Sequence, residues 1–107
     1  MDEPPKPYEL RYLPLFWDDL NEAVSCIANT LGNPDAAERL IDQLEGKILE
    51  YRENPTVATK YRSSKPRKQQ YYWFAVGNYM AFYVVEDDAM EMRRLLFGSR
   101  DLNKMPL

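Results

Sequence analysis

The chain has 107 residues, a formal net charge of −3 and 45% hydrophobic residues. This length predicts a single domain with one hydrophobic core, and no apolar run is long enough to span a membrane. The sequence contains no histidine, which excludes histidine general bases and histidine metal ligands. The proline-rich start lacks the apolar stretch of a signal peptide. We therefore expect a cytoplasmic protein with a flexible segment over residues 1–7 and one domain over residues 8–107.

The charges are divided unevenly along the chain. Residues 1–58 carry 5 basic and 12 acidic side chains, a net charge of −7. Residues 59–107 carry 9 basic and 5 acidic side chains, a net charge of +4. The second part presents either an ordinary solvated surface or a basic surface suited to phosphate or to an acidic partner.

The first half of the chain predicts a strand followed by two helices. The alternation of apolar and polar residues in Tyr8–Tyr12 is typical of a strand. Apolar residues at three- and four-residue spacing then predict a helix over Leu15–Leu31, with Asp18 and Asp19 in early turns that complement the helix dipole. Its stripe comprises Leu20, Ala23, Val24, Ile27, Ala28 and Leu31.

A second helix should begin directly after the first. Asn33 is a suitable N-cap, Pro34 fits the first helical position, and Asn54-Pro55 should end the helix. Because the connection is short, the two helices should form an antiparallel hairpin. The second apolar stripe comprises Ala37, Leu40, Ile41, Leu44, Ile48 and Tyr51. We expect Leu44 and Ile27 to be core residues.

Cys26 is the single cysteine, so it cannot form an internal disulfide. It lies on the apolar side of the first predicted helix. This position favours a core thiol over a nucleophile. A free thiol is also consistent with a reducing cytoplasm.

The second half predicts an antiparallel meander. Residues 56–66 should form a loop. Runs rich in aromatic and β-branched residues, separated by short polar turns, then predict strands over Gln69–Val76, Tyr79–Val85 and Ala89–Phe97. The almost continuous apolar character of Tyr79–Val85 places this strand in the centre of the sheet. The predicted class is α+β, a twisted and mostly antiparallel sheet in the order β-α-α-β-β-β with the helix hairpin packed on one face.

Several residues of this half could carry a function. Arg100 follows Gly98-Ser99 and is either a phosphate ligand or a surface charge. Successive aromatic residues over 71–74 alternate between the two sheet faces, so one pair should be core and the other exposed or covered by a helix or a partner. Asp87-Asp88 should form a hairpin turn. A basic cluster could contact a nucleic-acid backbone or keep the loop and edge strand soluble; it consists of Arg62, Lys65, Arg67 and Lys68.

No glycine-rich phosphate loop, metal-ligand cluster or nucleophile–base motif occurs in the sequence. We therefore expect neither a cofactor nor a metal. Any acid–base chemistry would depend on Lys, Arg, Tyr, Asp or Glu side chains.

The order and spacing of several short motifs resemble the RelE/ParE family of toxins from type II toxin–antitoxin systems. The resemblance covers roughly residues 8–103. The motifs are Tyr8-Glu-Leu-Arg-Tyr12, Phe16-Trp-Asp-Asp-Leu20, Asn54-Pro55, Gly77-Asn-Tyr-Met-Ala-Phe-Tyr83 and Phe97-Gly-Ser-Arg-Asp101. It implies a small cytoplasmic toxin that a cognate antitoxin neutralises by direct binding. It also implies that the first strand lies beside the last.

Two activities are known in this family. RelE-type members cleave mRNA in the ribosomal A site, where the 2′-hydroxyl attacks the adjacent phosphate and basic side chains stabilise the charged intermediate. ParE-type members inhibit DNA gyrase and lack the nuclease residues. The resemblance also leaves open an inactive module that only binds its antitoxin.

The family positions of the nuclease site are only partly retained. Arg62 and Arg100 match two arginines of the family and are the implied catalytic residues. RelE-type members carry cations at three positions of the second and third strands of the family fold. Tyr71, Trp73 and Met80 stand at these positions here. Lys65, Arg67 and Lys68 could compensate, so these three residues, with Tyr71 and Trp73, are the implied phosphate-binding or substrate-binding positions.

Our main expectation is a toxin that acts by ribosome-dependent mRNA cleavage. Gyrase inhibition is the alternative. The expected partners are the antitoxin and either the ribosome with its mRNA or DNA gyrase. The charge asymmetry and an exposed aromatic pair at Tyr71 and Trp73 predict that the antitoxin lies across the basic sheet half.

Overall fold

The computed structural model describes residues 7–61 and 69–98. The elements follow the predicted order, with one additional short strand in the segment predicted as a loop. They are β1 (Glu9–Tyr12), α1 (Pro14–Ser25), α2 (Pro34–Tyr51), β2 (Thr59–Lys60), β3 (Tyr71–Val76), β4 (Tyr79–Glu86) and β5 (Ala89–Phe97). A single turn of 3₁₀ helix, Pro55–Val57, precedes β2.

The strands form one open sheet in the order β1-β5-β4-β3-β2. Strand β1 pairs parallel with β5, and the other neighbours pair antiparallel. The first strand therefore lies beside the last, as predicted. Strand β4 is central, and its Ala81 and Phe82 are both fully buried although they face opposite sides of the sheet. The structure confirms the α+β class.

The turns between helices and strands use the expected residues. Asn33 caps α2, because its Oδ1 accepts a hydrogen bond from the Ala36 backbone N–H at 3.1 Å. Gly77 and Asp87 have φ angles of 56° and 53° in the two hairpin turns. Positive φ is natural for glycine and tolerated by aspartate. The predicted turn role of Asp87-Asp88 is confirmed.

The first helix differs from the prediction at its C-terminal end. Regular α-helix stops at Ser25 and continues as a π-helical turn, Cys26–Thr30. The Leu31 N–H accordingly donates to the Cys26 carbonyl at 3.0 Å, across five residues. A π turn holds more residues than an α turn, so the 3.6-residue period no longer tells which side chains face the core.

The structure corrects three sequence predictions in this helix. Cys26 is exposed rather than a core thiol. Leu31 is 68% exposed, and Ile27 is only half-buried. Phe16, which the predicted stripe omits, is 1% exposed and lies in the core instead.

The main core lies between the helix hairpin and one face of the sheet. In α2, Leu40, Leu44 and Ile48 are all buried, which confirms the predicted stripe at these positions. The largest side chain of this core is Tyr83, whose hydroxyl donates a hydrogen bond to the Pro55 carbonyl. Burial raises the pKa of Tyr83.

Within residues 7–61 and 69–98, neither helix is long and apolar enough to cross a membrane. The proposed division into an N-terminal segment and one domain remains a prediction.

Candidate functional site

The sheet face opposite the helices carries Tyr71, Trp73 and Met80, three of the positions that sequence analysis singled out. Cross-strand pairs Tyr71–Val84 and Trp73–Phe82 face this side, which we call the open face. Tyr61 packs on Phe82 edge to face, with ring centroids 5.5 Å apart. The buried members of this second cluster are Tyr61, Tyr71, Met80, Phe82, Val84 and Leu96, and Trp73 packs against them. The open face is therefore a second small core rather than bare surface.

The predicted aromatic pair is divided between two environments. Tyr71 is 9% exposed and Trp73 is half-buried. The prediction that both rings are exposed is therefore wrong for Tyr71. Tyr72 and Phe74 belong to the main core on the helix side, as expected for one of the two pairs. The alternation of residues 71–74 between the two sheet faces was predicted correctly. The burial of Tyr71 on the open face was not predicted.

A polar group borders this aromatic cluster and is centred on Arg93. Its Nε donates to Glu91 Oε2 at 2.8 Å, and its Nη2 lies 2.6 Å from the same oxygen. Nη2 also donates to Gln69 Oε1 at 3.0 Å, and Nη1 lies 3.4 Å from the Tyr71 hydroxyl. The guanidinium is 5.9 Å from the centre of the Tyr71 ring. The charge of Arg93 is thus balanced by Glu91 and its donors are already engaged.

Two consecutive arginines of β5 lie at a β-bulge and bind different partners. Phe82 pairs with Arg94 and Tyr83 pairs with Met92, which leaves Arg93 as the extra residue. An extra residue interrupts the alternation of side chains. Arg93 contacts Gln69 and Tyr71 beside the open-face cluster, while Arg94 binds Asp19 of α1. Sequence analysis missed the contacts of both arginines.

Arg94 binds Asp19 and joins β5 to α1. Its Nε donates to Asp19 Oδ2 at 2.7 Å and its Nη2 donates to Oδ1 at 3.0 Å. The Leu95 N–H donates to Oδ2 at 3.0 Å. The hydrogen bonds with Asp19 raise the pKa of Arg94. The expectation that Asp19 complements the helix dipole is wrong, because α1 begins at Pro14 and Asp19 lies beyond its first turn.

The remaining predicted site residues lie outside the part of the chain that the structure describes. These are Arg62, Lys65, Arg67, Lys68 and Arg100. Their assignment as catalytic or phosphate-binding residues stays a prediction.

Tyr61 and Gly98 are the described residues closest in sequence to Arg62 and Arg100. They lie at opposite ends of β3 and β4. The Tyr61 N–H donates to the Tyr71 carbonyl at the beginning of β3, at 2.8 Å. The Gly98 N–H donates to the Asn78 carbonyl in the turn that follows β3, also at 2.8 Å. Five residue steps of strand separate Tyr71 from Val76, a length of about 17 Å.

Met80 lies in β4, at a position where the family resemblance implies an arginine. Its side chain is 8% exposed and belongs to the open-face cluster. The strand positions of the expected nuclease site therefore contribute aromatic and thioether groups, which carry no charge at neutral pH.

Comparison with known proteins agrees with the resemblance seen in the sequence. The family model described as the ParE toxin of the type II toxin–antitoxin system parDE matches residues 10–102. No curated protein matches the chain. A solved structure described as the chromosomal ParDE TA system from P. aeruginosa shares the fold, with a TM-score of 0.68 and 12% identity. The match covers 84% of this chain and 95% of that one. Because the family model spans most of the sequence, the chain belongs to the ParE toxin family of type II toxin–antitoxin systems and has a cognate antitoxin as its partner.

Proposed function

We propose that this toxin acts in the cytoplasm by inhibiting DNA gyrase. The observation that carries the proposal is the match of the ParE toxin model to residues 10–102. The comparisons give no support to ribosome-dependent mRNA cleavage, which the sequence favoured first. ParE-type members of the family are the gyrase inhibitors, so the alternative becomes the main proposal.

The chemistry of the open face supports this choice. Cleavage of RNA without a metal requires preorganised cations around the charged phosphorane. Tyr71 and Met80 are buried uncharged side chains on this face, and Trp73 adds no charge. Arg93, a cation that the structure places there, is ion-paired with Glu91. A phosphate would have to compete with that carboxylate.

Induced expression in growing cells tests the proposal. DNA synthesis, translation and an SOS reporter should be followed separately from the first minutes after induction. We expect early loss of DNA synthesis with induction of the SOS reporter, while translation falls later. Early loss of translation with cut mRNA would overturn gyrase inhibition and restore the nuclease.

The double variant Arg62→Ala/Arg100→Ala provides the control for the nuclease residues. If the toxin inhibits gyrase without phosphate chemistry, the double variant should still inhibit DNA synthesis. It should not show the roughly 10²–10³-fold loss of activity that is expected when a charge stabiliser is removed from an active site. A loss of that size in an mRNA cleavage assay would instead assign the two arginines to catalysis.

A further inference from the structure

The second half of β5 has a strand neighbour on one side and lacks one on the other. Strand β1 pairs with Ala89–Met92, and within residues 7–61 and 69–98 no other strand lies on that side of β5. The chain leaves β1 at Leu13, whose N–H donates to the Met92 carbonyl at 3.0 Å, and continues into α1. Residues 93–97 of β5 therefore form a strand edge beside α1, whose outward backbone groups need other partners.

The register between β4 and β5 shows which backbone groups of this edge point outward. The Gly98 N–H donates to the Asn78 carbonyl at 2.8 Å, so these two residues form a hydrogen-bonded pair. Hydrogen-bonded and non-hydrogen-bonded pairs alternate along an antiparallel ladder. Phe97, opposite Tyr79, and Leu95, two residues earlier, are therefore in non-hydrogen-bonded pairs with β4. Their N–H and C=O groups point away from β4, toward the edge.

One of these outward groups already has a partner. The Leu95 N–H donates to Asp19 Oδ2 at 3.0 Å, which agrees with the outward direction deduced from the ladder. Within the described part of the chain, the Leu95 carbonyl and both outward groups of Phe97 are left for a partner. A strand antiparallel to β5 could exchange two hydrogen bonds with Phe97 and donate a third to the Leu95 carbonyl.

A groove of about 490 Å³ borders this edge, a volume within the range of ligand pockets. We call it the β5 groove; Glu22, Leu31, Tyr79 and Phe97 are among its lining residues. Leu31 and Phe97 are 68% and 42% exposed. The Phe97 ring packs edge to face on Tyr79, with centroids 5.5 Å apart. The groove therefore offers apolar contacts to the side chains of a segment that pairs with the edge.

The α1 side of the β5 groove is acidic. Glu22 belongs to the lining and is exposed. Asp18 is also exposed and lies four residues earlier, on the same side of α1. The base in the described lining is Arg94, and Asp19 holds its guanidinium. This distribution of charge complements a segment that carries lysine or arginine.

The charge of the groove favours the target over the antitoxin as its occupant. An enzyme that acts on DNA presents lysine and arginine side chains where it contacts the phosphates. The antitoxin is expected across the basic sheet half, where complementarity requires acidic residues instead. A basic segment of the target suits the acidic groove better.

We propose that the β5 groove receives an extended segment of DNA gyrase that pairs with the outward groups of Leu95 and Phe97 and directs a lysine or arginine toward Glu22. This inference rests on the proposed function and names the surface through which the toxin meets its target. The segment adds one strand to the sheet at the end of β5. Its apolar side chains pack against Leu31 and Phe97.

Dissociation constants between assembled gyrase and antitoxin-free toxin variants test the groove. Leu31→Ser and Glu22→Lys should each weaken binding about ten-fold, as expected for contacts at the centre of an interface. The matched controls are Val57→Ser and Glu38→Lys, which change exposed residues outside the groove. Their dissociation constants should stay within about two-fold of the parent value. Raising the salt concentration should reduce the effect of Glu22→Lys but not that of Leu31→Ser.

The backbone pairing is tested at Phe97 with two substitutions. Phe97→Val removes the ring and keeps the N–H, whereas Phe97→Pro removes both. Because this N–H points away from β4, the proline removes no hydrogen bond of the β4–β5 ladder. Phe97→Pro should bind gyrase about five-fold more weakly than Phe97→Val, the scale of one hydrogen bond. Equal affinities of two folded variants would contradict the added strand.

Hydrogen exchange of the parent toxin tests the same pairing without a substitution. The Phe97 N–H should exchange rapidly in the free toxin and become protected when gyrase is added, because it then donates to the added strand. Protection that is already complete in the free toxin would show that the edge is occupied. Rapid exchange in both states would show that gyrase does not pair with it.

The supercoiling activity of gyrase separates this proposal from the proposed function. If the parent toxin inhibits supercoiling and Leu31→Ser and Glu22→Lys inhibit it equally well, the groove is excluded while gyrase inhibition stands. If these variants instead lose affinity for the antitoxin or for a second copy of the toxin, with gyrase affinity unchanged, the groove belongs to that partner. A parent toxin that neither binds nor inhibits gyrase would overturn both proposals.

Discussion

The two faces of the sheet are built from neighbouring residues of the same strands but hold different kinds of structure. On the helix side, Tyr72, Phe74 and Tyr83 pack under α1 and α2 in the main core. On the open face, Tyr71, Phe82 and Leu96 form a smaller cluster. Arg93 and Glu91 border that cluster with an ion pair. The first face stabilises the fold through apolar packing and the buried Tyr83–Pro55 hydrogen bond, whereas the second combines apolar packing with an ion pair.

This difference shows why alternation along a strand predicts the direction of a side chain but not its environment. Tyr71 and Tyr72 point to opposite faces, and both are 9% exposed. Burial on the helix side follows from the hairpin. Burial on the open face depends on neighbours such as Tyr61, which comes from a different part of the chain.

The largest loss of stability is expected when a core residue of either sheet face is replaced by alanine. Phe82→Ala on the open face should cost about 3–5 kcal/mol and Leu44→Ala on the helix side about 2–5 kcal/mol of unfolding free energy, because both side chains are buried. Half-buried Ile27 should cost less than Leu44 when replaced by alanine. Urea denaturation measures all three. A near-zero loss for Phe82→Ala would show that the open face is not a second core.

A smaller loss of stability is expected when the Asp19–Arg94 link between α1 and β5 is removed. Asp19→Ala should cost about 1–3 kcal/mol, because it removes the carboxylate that accepts hydrogen bonds from Arg94 and from the Leu95 N–H. The matched control is Asp18→Ala, which removes an exposed carboxylate from the adjacent position and should change stability by less than about 0.5 kcal/mol. Equal losses for the two variants would contradict a specific role for Asp19.

The smallest effect concerns Tyr83 and alkaline pH. Tyr83→Phe should lower stability at neutral pH by about 1 kcal/mol, because it removes the hydrogen bond to the Pro55 carbonyl. Burial holds the pKa of Tyr83 above its ordinary value of 10.0. Above pH 10 the unfolded state loses the Tyr83 proton while the folded state keeps it. The contribution of Tyr83 to the free energy of unfolding therefore declines as the pH rises further.

Urea denaturation at pH 8 and above pH 10 checks this dependence. The stability difference between the parent chain and Tyr83→Phe should shrink above pH 10. A constant difference across that range would show that Tyr83 is not protected from ionisation.

The period of the apolar residues was sufficient to predict most of the fold. The helix hairpin, the central position of β4 and the cap at Asn33 follow from local patterns that the tertiary structure reinforces. The π turn at Cys26–Thr30 was not predictable from a 3.6-residue period, and Cys26 and Leu31 lie outside the core.

The candidate sites were less predictable because they depend on contacts between distant segments. Asp19 and Arg94 are 75 residues apart in sequence, and the bulge beside Arg94 is a property of strand pairing. Ile41 belongs to the same predicted apolar stripe as Leu40 and Leu44, but it is 39% exposed. Only the packing of α1, α2 and β1 shows that Ile41 stays exposed.

The most direct test of the proposed function is a supercoiling assay with purified DNA gyrase, relaxed plasmid, ATP and increasing amounts of the toxin. We expect supercoiling to fall as toxin is added, and to remain complete when the toxin is supplied as its antitoxin complex. Complete supercoiling at every concentration of free toxin, with cleavage of ribosome-bound mRNA by the same preparation, would contradict gyrase inhibition.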